Sequence, residues 1–434
     1  MELGTSLLVL PFRLTTQVVV LAIVTIGLDN LLQDHYDHLP RWLRMSADDA
    51  KTILATLAGG SITVVALVVS LMMVVLSLVA ANFGPRIILN FVRRRTTKLA
   101  IGSFVAVFVY SLVTLATVFS GGKDNFAPVI STWTAVLMVL LATALLVVFV
   151  QDISSSIQVG NMLTDISTDL DAAIVHQRRL SQRAFATSNI ELDTTGWHVL
   201  YATEAGYVQQ VDFESLIELG RRNACVVHLL YRPGGFVLAG RPVAEVSLQL
   251  SAEEERKLRR CIVRGAHRTM EQDLEYAIAE YVEIALRALS PAVNDPATAI
   301  SCLDWIADSL VALAAEPIGV AAFADSEGAM RVVVPSNSFR RVIAAAFNEI
   351  RQQADTSPAV AIRVMSAIER VAPSVVESRA LDELRSQLDA MFATSQAAAK
   401  AQRDRDDLAA AHARASAALD SVTPTDGEPS GIAP

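Results

Sequence analysis

Cysteine, histidine and aromatic side chains are scarce in this chain of 434 residues, with 3 Cys, 7 His and 6% Phe, Trp and Tyr. Cys225, Cys261 and Cys302 match neither the spacing of a zinc ribbon nor a CxxC redox pair, so they read as reduced, mostly buried thiols. His176, His198, His228, His267 and His412 are scattered singly, and a lone histidine is more often a core or surface residue than a catalyst. The chain also lacks G-x-S-x-G, a P-loop, H-E-x-x-H and a convincing pair of poised carboxylates. Nothing joins a nucleophile to its base, so no enzyme is expected, with no catalytic residue, no cofactor and no metal. Asp34, His35, Asp37 and His38 could offer metal ligands, but without a further donor they read as a solvated loop.

Positive charge is short as well: 36 Lys and Arg stand against 45 Asp and Glu. Residues 1–150 are net +3 and residues 151–434 net −12. The acidic second part argues against a nucleic-acid partner, because phosphate binding needs clustered Lys and Arg to release counterions.

What the chain has in abundance is apolar surface. Hydrophobic residues make up 52% and the mean hydropathy is +0.41, yet 19% of residues are charged and must sit in water. The two kinds are therefore segregated. Residues 14–32, 52–81, 99–119 and 129–150 are each long enough to cross a hydrocarbon core of about 30 Å as a helix. The expected fold is thus a membrane α-helical domain of four transmembrane helices over 1–150, followed by a mixed α+β cytoplasmic domain. Arg13 follows an apolar start and no small-residue cleavage site closes it, so the first span is expected to stay uncleaved.

Arg86, Arg93, Arg94, Arg95 and Lys98 crowd the loop between spans two and three without an acid, which marks that loop as cytoplasmic. Four spans then leave both termini inside a multi-pass protein of the inner or plasma membrane. The same cluster could bind anionic lipid, but a topology determinant is the plainer reading. No Asp, Glu, Lys, Arg or His lies at mid-depth, which weighs against a proton-coupled transporter.

Thr56, Thr63, Ser70 and Ser77 recur every seven residues and lie in one stripe of span two. Ser103, Tyr110, Thr114 and Thr117 fall near one face of span three. Such faces either pack helices closely or line a wet path where several subunits meet.

In the second part, residues 151–190 continue as a connecting helix and 191–250 form a small β-rich module. Its turn order resembles a small barrel-sandwich module of the lipoyl type, although no lysine marks the turn and a swinging-arm cofactor is not expected. Residues 251–398 are mainly helical, and 399–434 form an Ala-rich helix end and a disordered tail. Within the helical part Arg268, Thr269, Asp273, Arg287, Ser290, Asn294, Asp295 and Thr298 make the densest polar set. They could bind an anion at a helix N-terminus, or Asp295 could cap a helix while Arg287 pairs with Glu283.

Two stretches carry a family resemblance: residues 62–91, with the run Ala81-Asn82-Phe83-Gly84-Pro85-Arg86, and Arg268-Thr269 through Asp273 with residues 285–296, Thr298 and Ala299. Together they resemble the bacterial predicted-membrane-protein family catalogued as domain of unknown function 2254. Leu274, Ala277 and Ala297 depart from the family pattern. The resemblance implies spans followed by a soluble domain and names no activity.

The reading that follows is a homo-oligomeric, channel-like or gating protein in the lipid bilayer, with a cytoplasmic domain that assembles and senses. The alternative is a membrane-anchored interaction or signalling scaffold whose soluble domain binds a protein or small anion.

Overall fold

The computed structural model describes residues 9–32, 45–83, 95–120, 127–156, 158–181, 184–186, 190, 192–315, 321–335, 338–354 and 357–423. Arg86, Arg93, Arg94, the run from Asp34 to His38 and the tail beyond residue 423 lie outside them. The chain divides into two compact units, Met1–Gln158 and Val159–Pro434.

The first unit holds α1 (Val9–Leu32), α2 (Ala47–Phe83), α3 (Arg95–Ser120) and α4 (Val129–Ser156). At 37 residues α2 is about 55 Å long and outruns the apolar core of a bilayer. Ser46 caps it reciprocally with Asp49, each receiving a hydrogen bond from the other. α3 packs against α1, α2 and α4 and is the most buried of the four. Tyr110 on α3 fills the space between Ala22, Leu54 and Ala135. Apolar side chains such as Leu67, Leu137 and Leu140 instead point outward, as a lipid-facing surface requires.

The second unit opens with α5 (Val159–Ser181) and β1 (Ala184–Ala186), then β2 (His198–Tyr201), β3 (Gly206–Val211), α6 (Phe213–Arg222), β4 (Val227–Leu229), β5 (Phe236–Val237) and β6 (Pro242–Val246). There follow α7 (Ala252–Cys261), β7 (Ile262–Gly265), α8 (Leu274–Leu289), α9 (Pro296–Ala314), β8 (Ala322–Ala324) and β9 (Met330–Val333). The chain finishes with α10 (Phe339–Gln353), α11 (Pro358–Val371), α12 (Ser378–Ala398) and α13 (Gln402–Asp420).

One sheet runs β1-β8-β9-β4-β6-β2 and a second β5-β3-β7. The β-rich module expected over 191–250 therefore does not close on itself, since β8 and β9 come from the stretch read as mainly helical. β4 pairs in parallel with β9, Val227 opposite Val332, so the barrel-sandwich likeness fails. The core between sheets and helices includes Leu216, Val227, Leu229, Val246 and Leu258. α8 packs on α5, α9 and α10, and α11 packs on α9 and α13.

Five described helices, not four, are long and apolar enough to cross a membrane. The fifth, α9, lies in the second unit, where Cys302, Leu303, Ile306 and Leu310 are buried. Its Asp304 meets Arg370 of α11 at 2.6 Å and Arg363 at 3.5 Å. Hydropathy alone cannot distinguish a spanning helix from one at the centre of a helical layer, because both are apolar on most sides.

Candidate functional site

Thr56, Thr63, Ser70 and Ser77 are all exposed on α2. Thr56 and Thr63 donate to the carbonyls four residues back, Thr52 at 2.7 Å and Gly59 at 2.8 Å. On α3 the set is turned inward: Tyr110 and Thr114 are fully buried, and Ser103 and Thr117 are half-buried. Tyr110 shares a 2.8 Å hydrogen bond with Thr25 of α1. Ser103 and Thr117 bond to Ala100 and Thr114 carbonyls on their own helix. Within one copy the structure does not bring the α2 and α3 hydroxyls together.

Asp29, near the end of α1, is buried and accepts hydrogen bonds from the Ile130 and Ser131 amides at 2.8 and 2.9 Å and from the Ser131 hydroxyl at 2.6 Å. It caps α4 from a different helix, answering donors that lipid could not satisfy. Lys98 is largely buried in the first turn of α3, and Thr96 beside it donates to Asp152 at 2.5 Å. Arg95 opens that helix.

In the second unit the eight-residue polar set separates into two groups at opposite ends of α8, about 24 Å apart for 16 residues. At the C-terminal end Ser290 donates to the Arg287 carbonyl at 2.7 Å, and Asn294 takes a left-handed φ of 47°. Asp295 then caps α9, accepting from the Thr298 amide at 3.2 Å and hydroxyl at 2.6 Å, with Pro296 at the first helical position. Those two bonds hold the Asp295 carboxyl below the usual carboxylate range. All of this closes a turn.

The N-terminal end is different. Asp273 occupies the cap position of α8, yet its side chain makes no capping bond. It turns to Arg268, whose Nε and Nη2 lie 2.7 and 2.6 Å from Oδ2. Arg268 also sits over the Tyr276 ring at 5.2 Å. Thr269 donates to the Gln209 carbonyl. Two residues beyond Asp273, Glu275 receives Arg232 at 2.6 Å, and its other oxygen, buried without a hydrogen-bond partner, lies 3.7 Å from Arg341. Gln272 clamps β3, accepting from the Val211 amide at 2.8 Å and donating to its carbonyl at 2.9 Å.

Arg232, Gln272 and Asp273 line a cleft with Gln177, Phe213 and Phe323, holding about 560 Å³ of space free of protein atoms, solvent at its mouth included. Its wall includes the turn after Arg232, where Gly234 has φ 84° and a Cβ would stand 2.0 Å from Asp273 Oδ2. Only glycine lets the turn approach that carboxylate. Burial pushes the Asp273 carboxyl up despite Arg268 beside it, and lowers the Arg232 guanidinium despite Glu275. The cleft can hold a small group that accepts hydrogen bonds from a guanidinium, with aromatic side chains at its edge.

Sequence spacing singled out Arg268, Thr269 and Asp273 but missed Arg232, Gly234, Glu275 and Arg341. The signals available were the Arg-Pro-Gly-Gly turn at 232–235 and a glutamate in the first turn of an apolar helix. The three buried thiols have no such setting, and burial pushes Cys261 up to about 11 and Cys302 up to about 12.

An uncharacterized protein of Mycobacterium bovis is 25% identical over 382 residues, covering 85% of this chain and 72% of that protein. Uncharacterized proteins from two strains of Mycobacterium tuberculosis match to the same extent. No solved structure matches. The match to the predicted membrane protein family DUF2254 runs over residues 4–370, so it takes in the spans and the cleft alike, and the chain belongs to that family.

Proposed function

We propose that this protein is a multi-pass membrane receptor whose soluble unit binds a small anion, a carboxylate or phosphate, in the cleft beside Gly234. The observation that carries this is the charge arrangement at the start of α8. Three guanidinium groups, Arg232, Arg268 and Arg341, face two carboxylates, Asp273 and Glu275, leaving one positive charge in excess. The uncapped α8 N-terminus adds its partial positive charge on the same side. The activity is binding rather than turnover.

Four helices, α1 to α4, cross the inner or plasma membrane in this proposal. α9 stays out of the bilayer because Asp304 and its two arginine partners would be costly in lipid. The basic loop before α3 sets the orientation, with both termini and the second unit in the cytoplasm.

The test is thermal unfolding of the full chain in detergent, with succinate or inorganic phosphate titrated in. Either anion is expected to raise the midpoint through mass action, and Arg232→Gln to abolish that rise. An equal rise in both proteins would remove the cleft from the account.

A second reading, a homo-oligomer with a wet path, is favoured by the outward face of α2. Thr56, Thr63, Ser70 and Ser77 are exposed there, and a Cβ on Gly59 or Gly60 would meet nothing within 4 Å. In liposomes, ion flux that is lost in Ser70→Leu would favour this reading, and a silent, folded protein would count against it.

A further inference from the structure

Residues 256–268 carry six Lys or Arg and no acid, inside a part of the chain that is net −12. Arg268 is spent on Asp273, Lys257 pairs with Glu253 at 2.8 Å, and Arg259 lies 3.8 Å from Glu255. Arg264 is held by neutral groups, the Glu204 carbonyl at 2.6 Å and the Thr203 hydroxyl at 3.3 Å, which leave its charge uncancelled. Arg259 reaches the Tyr201 carbonyl at 2.5 Å. Arg241 is joined to the same turn from the other side, its carbonyl accepting the Ala202 amide at 2.8 Å. Arg241 and Arg260 are exposed, and no ion pair involves either among the described residues. Two guanidinium groups, Arg259 and Arg264, thus reach the turn between β2 and β3, exposed Arg241 is bonded to it through its backbone, and Glu204 is the exposed acid there.

Large apolar side chains lie in solvent beside that turn, and Val263 lies farther along the β3–β7 pair. Tyr201 is 52% exposed, Leu238 54%, Phe236 48% and Val263 44%. They are held in place: Phe236 stacks edge-on against Tyr207 at 4.9 Å, and the Leu238 carbonyl accepts the Arg241 amide at 3.2 Å. Gln210 faces Val263 across the β3–β7 pair.

We infer that this face, Tyr201, Phe236 and Leu238 ringed by Arg241, Arg259 and Arg264, docks the soluble unit on an anionic phospholipid surface. Positive charge answers lipid phosphates, while a phenyl ring and aliphatic side chains gain only where they can enter the boundary between headgroups and acyl chains. A nucleic acid would leave those apolar groups in water and would meet the acidic remainder of the unit. A chain fixed in the bilayer by its own helices also meets that surface at a high effective concentration. The inference is independent of the anion cleft, which is built from other side chains.

The test uses the full chain in vesicles of phosphatidylcholine, with or without phosphatidylglycerol. An environment-sensitive dye is placed on Leu238→Cys, and separately on Val376→Cys, which is exposed between α11 and α12. The dye at 238 is expected to shift to the blue and be quenched by nitroxide-labelled lipid only with phosphatidylglycerol. High salt, or Arg241→Ser with Arg264→Ser, should reverse both signals, and the dye at 376 should stay unquenched. Several results would overturn the inference: emission at 238 that does not depend on phosphatidylglycerol, equal quenching at both sites, or a blue-shifted dye at 238 in detergent alone, which would mean that protein covers the face.

Discussion

Two aspartates start successive helices of the second unit with nearly the same backbone, φ −113° and ψ 83° at Asp273, φ −111° and ψ 83° at Asp295. Their side chains do opposite things. Asp295 folds back on Thr298 and is held low, whereas Asp273 abandons the cap for Arg268 and is pushed up by burial. Asp29 is a third case, reaching from α1 to cap α4. The lesson is that a cap position states where a carboxylate is, and its partners decide whether it serves the helix or a cleft.

The sharpest break of this comparison is at Gly234. Gly234→Ala combines an unfavourable φ with a clash on Asp273 and should cost about 3 kcal/mol in denaturant unfolding. Adding Asp273→Ala should recover most of that loss, leaving the φ cost; no recovery would mean that the carboxylate does not shape the turn. Asp29→Ala strands one buried and one half-buried amide and should cost about 2 kcal/mol, read as a lowered unfolding midpoint in detergent. Asp295→Ala removes an ordinary cap and should cost about 1 kcal/mol.

The smallest effect on stability should come from Asp273→Asn, and its sign depends on pH. A lowered folded pKa, as at Asp295, gives stability that is present above the usual carboxylate range and lost as pH falls through the folded value. The raised value at Asp273 works the other way, giving stability present at acid pH and lost as pH rises through it. Asp273→Asn should therefore unfold at or above the wild-type midpoint at neutral pH and lose that advantage in acid. A wild-type-like pH profile in the variant would contradict the assignment.

Much of the fold was legible where local signals were strong. The strand over 206–211 falls in the stretch read as β-rich, and the helices over 339–353 and 358–371 in the stretch read as mainly helical, because apolar periodicity and turn residues frame each one. β1 and β8 were not legible: both read Ala-Phe-Ala, too short to show a period, and they pair across more than a hundred residues. The cleft was half legible for the same reason. Arg268 and Asp273 stand five residues apart, but Arg232, Glu275 and Arg341 meet only through the tertiary fold. The basic run 256–268 was visible in the sequence and was hidden by averaging over an acidic unit.

The contrast between the two helix starts is tested most directly by calorimetric titration of inorganic phosphate and succinate into the full chain in detergent. Wild type and Asp295→Ala should bind at least one of the two saturably with equal affinity, while Arg232→Gln should bind neither. Binding that survives Arg232→Gln, or no binding to wild type at all, would contradict the claim that the start of α8 is a ligand site.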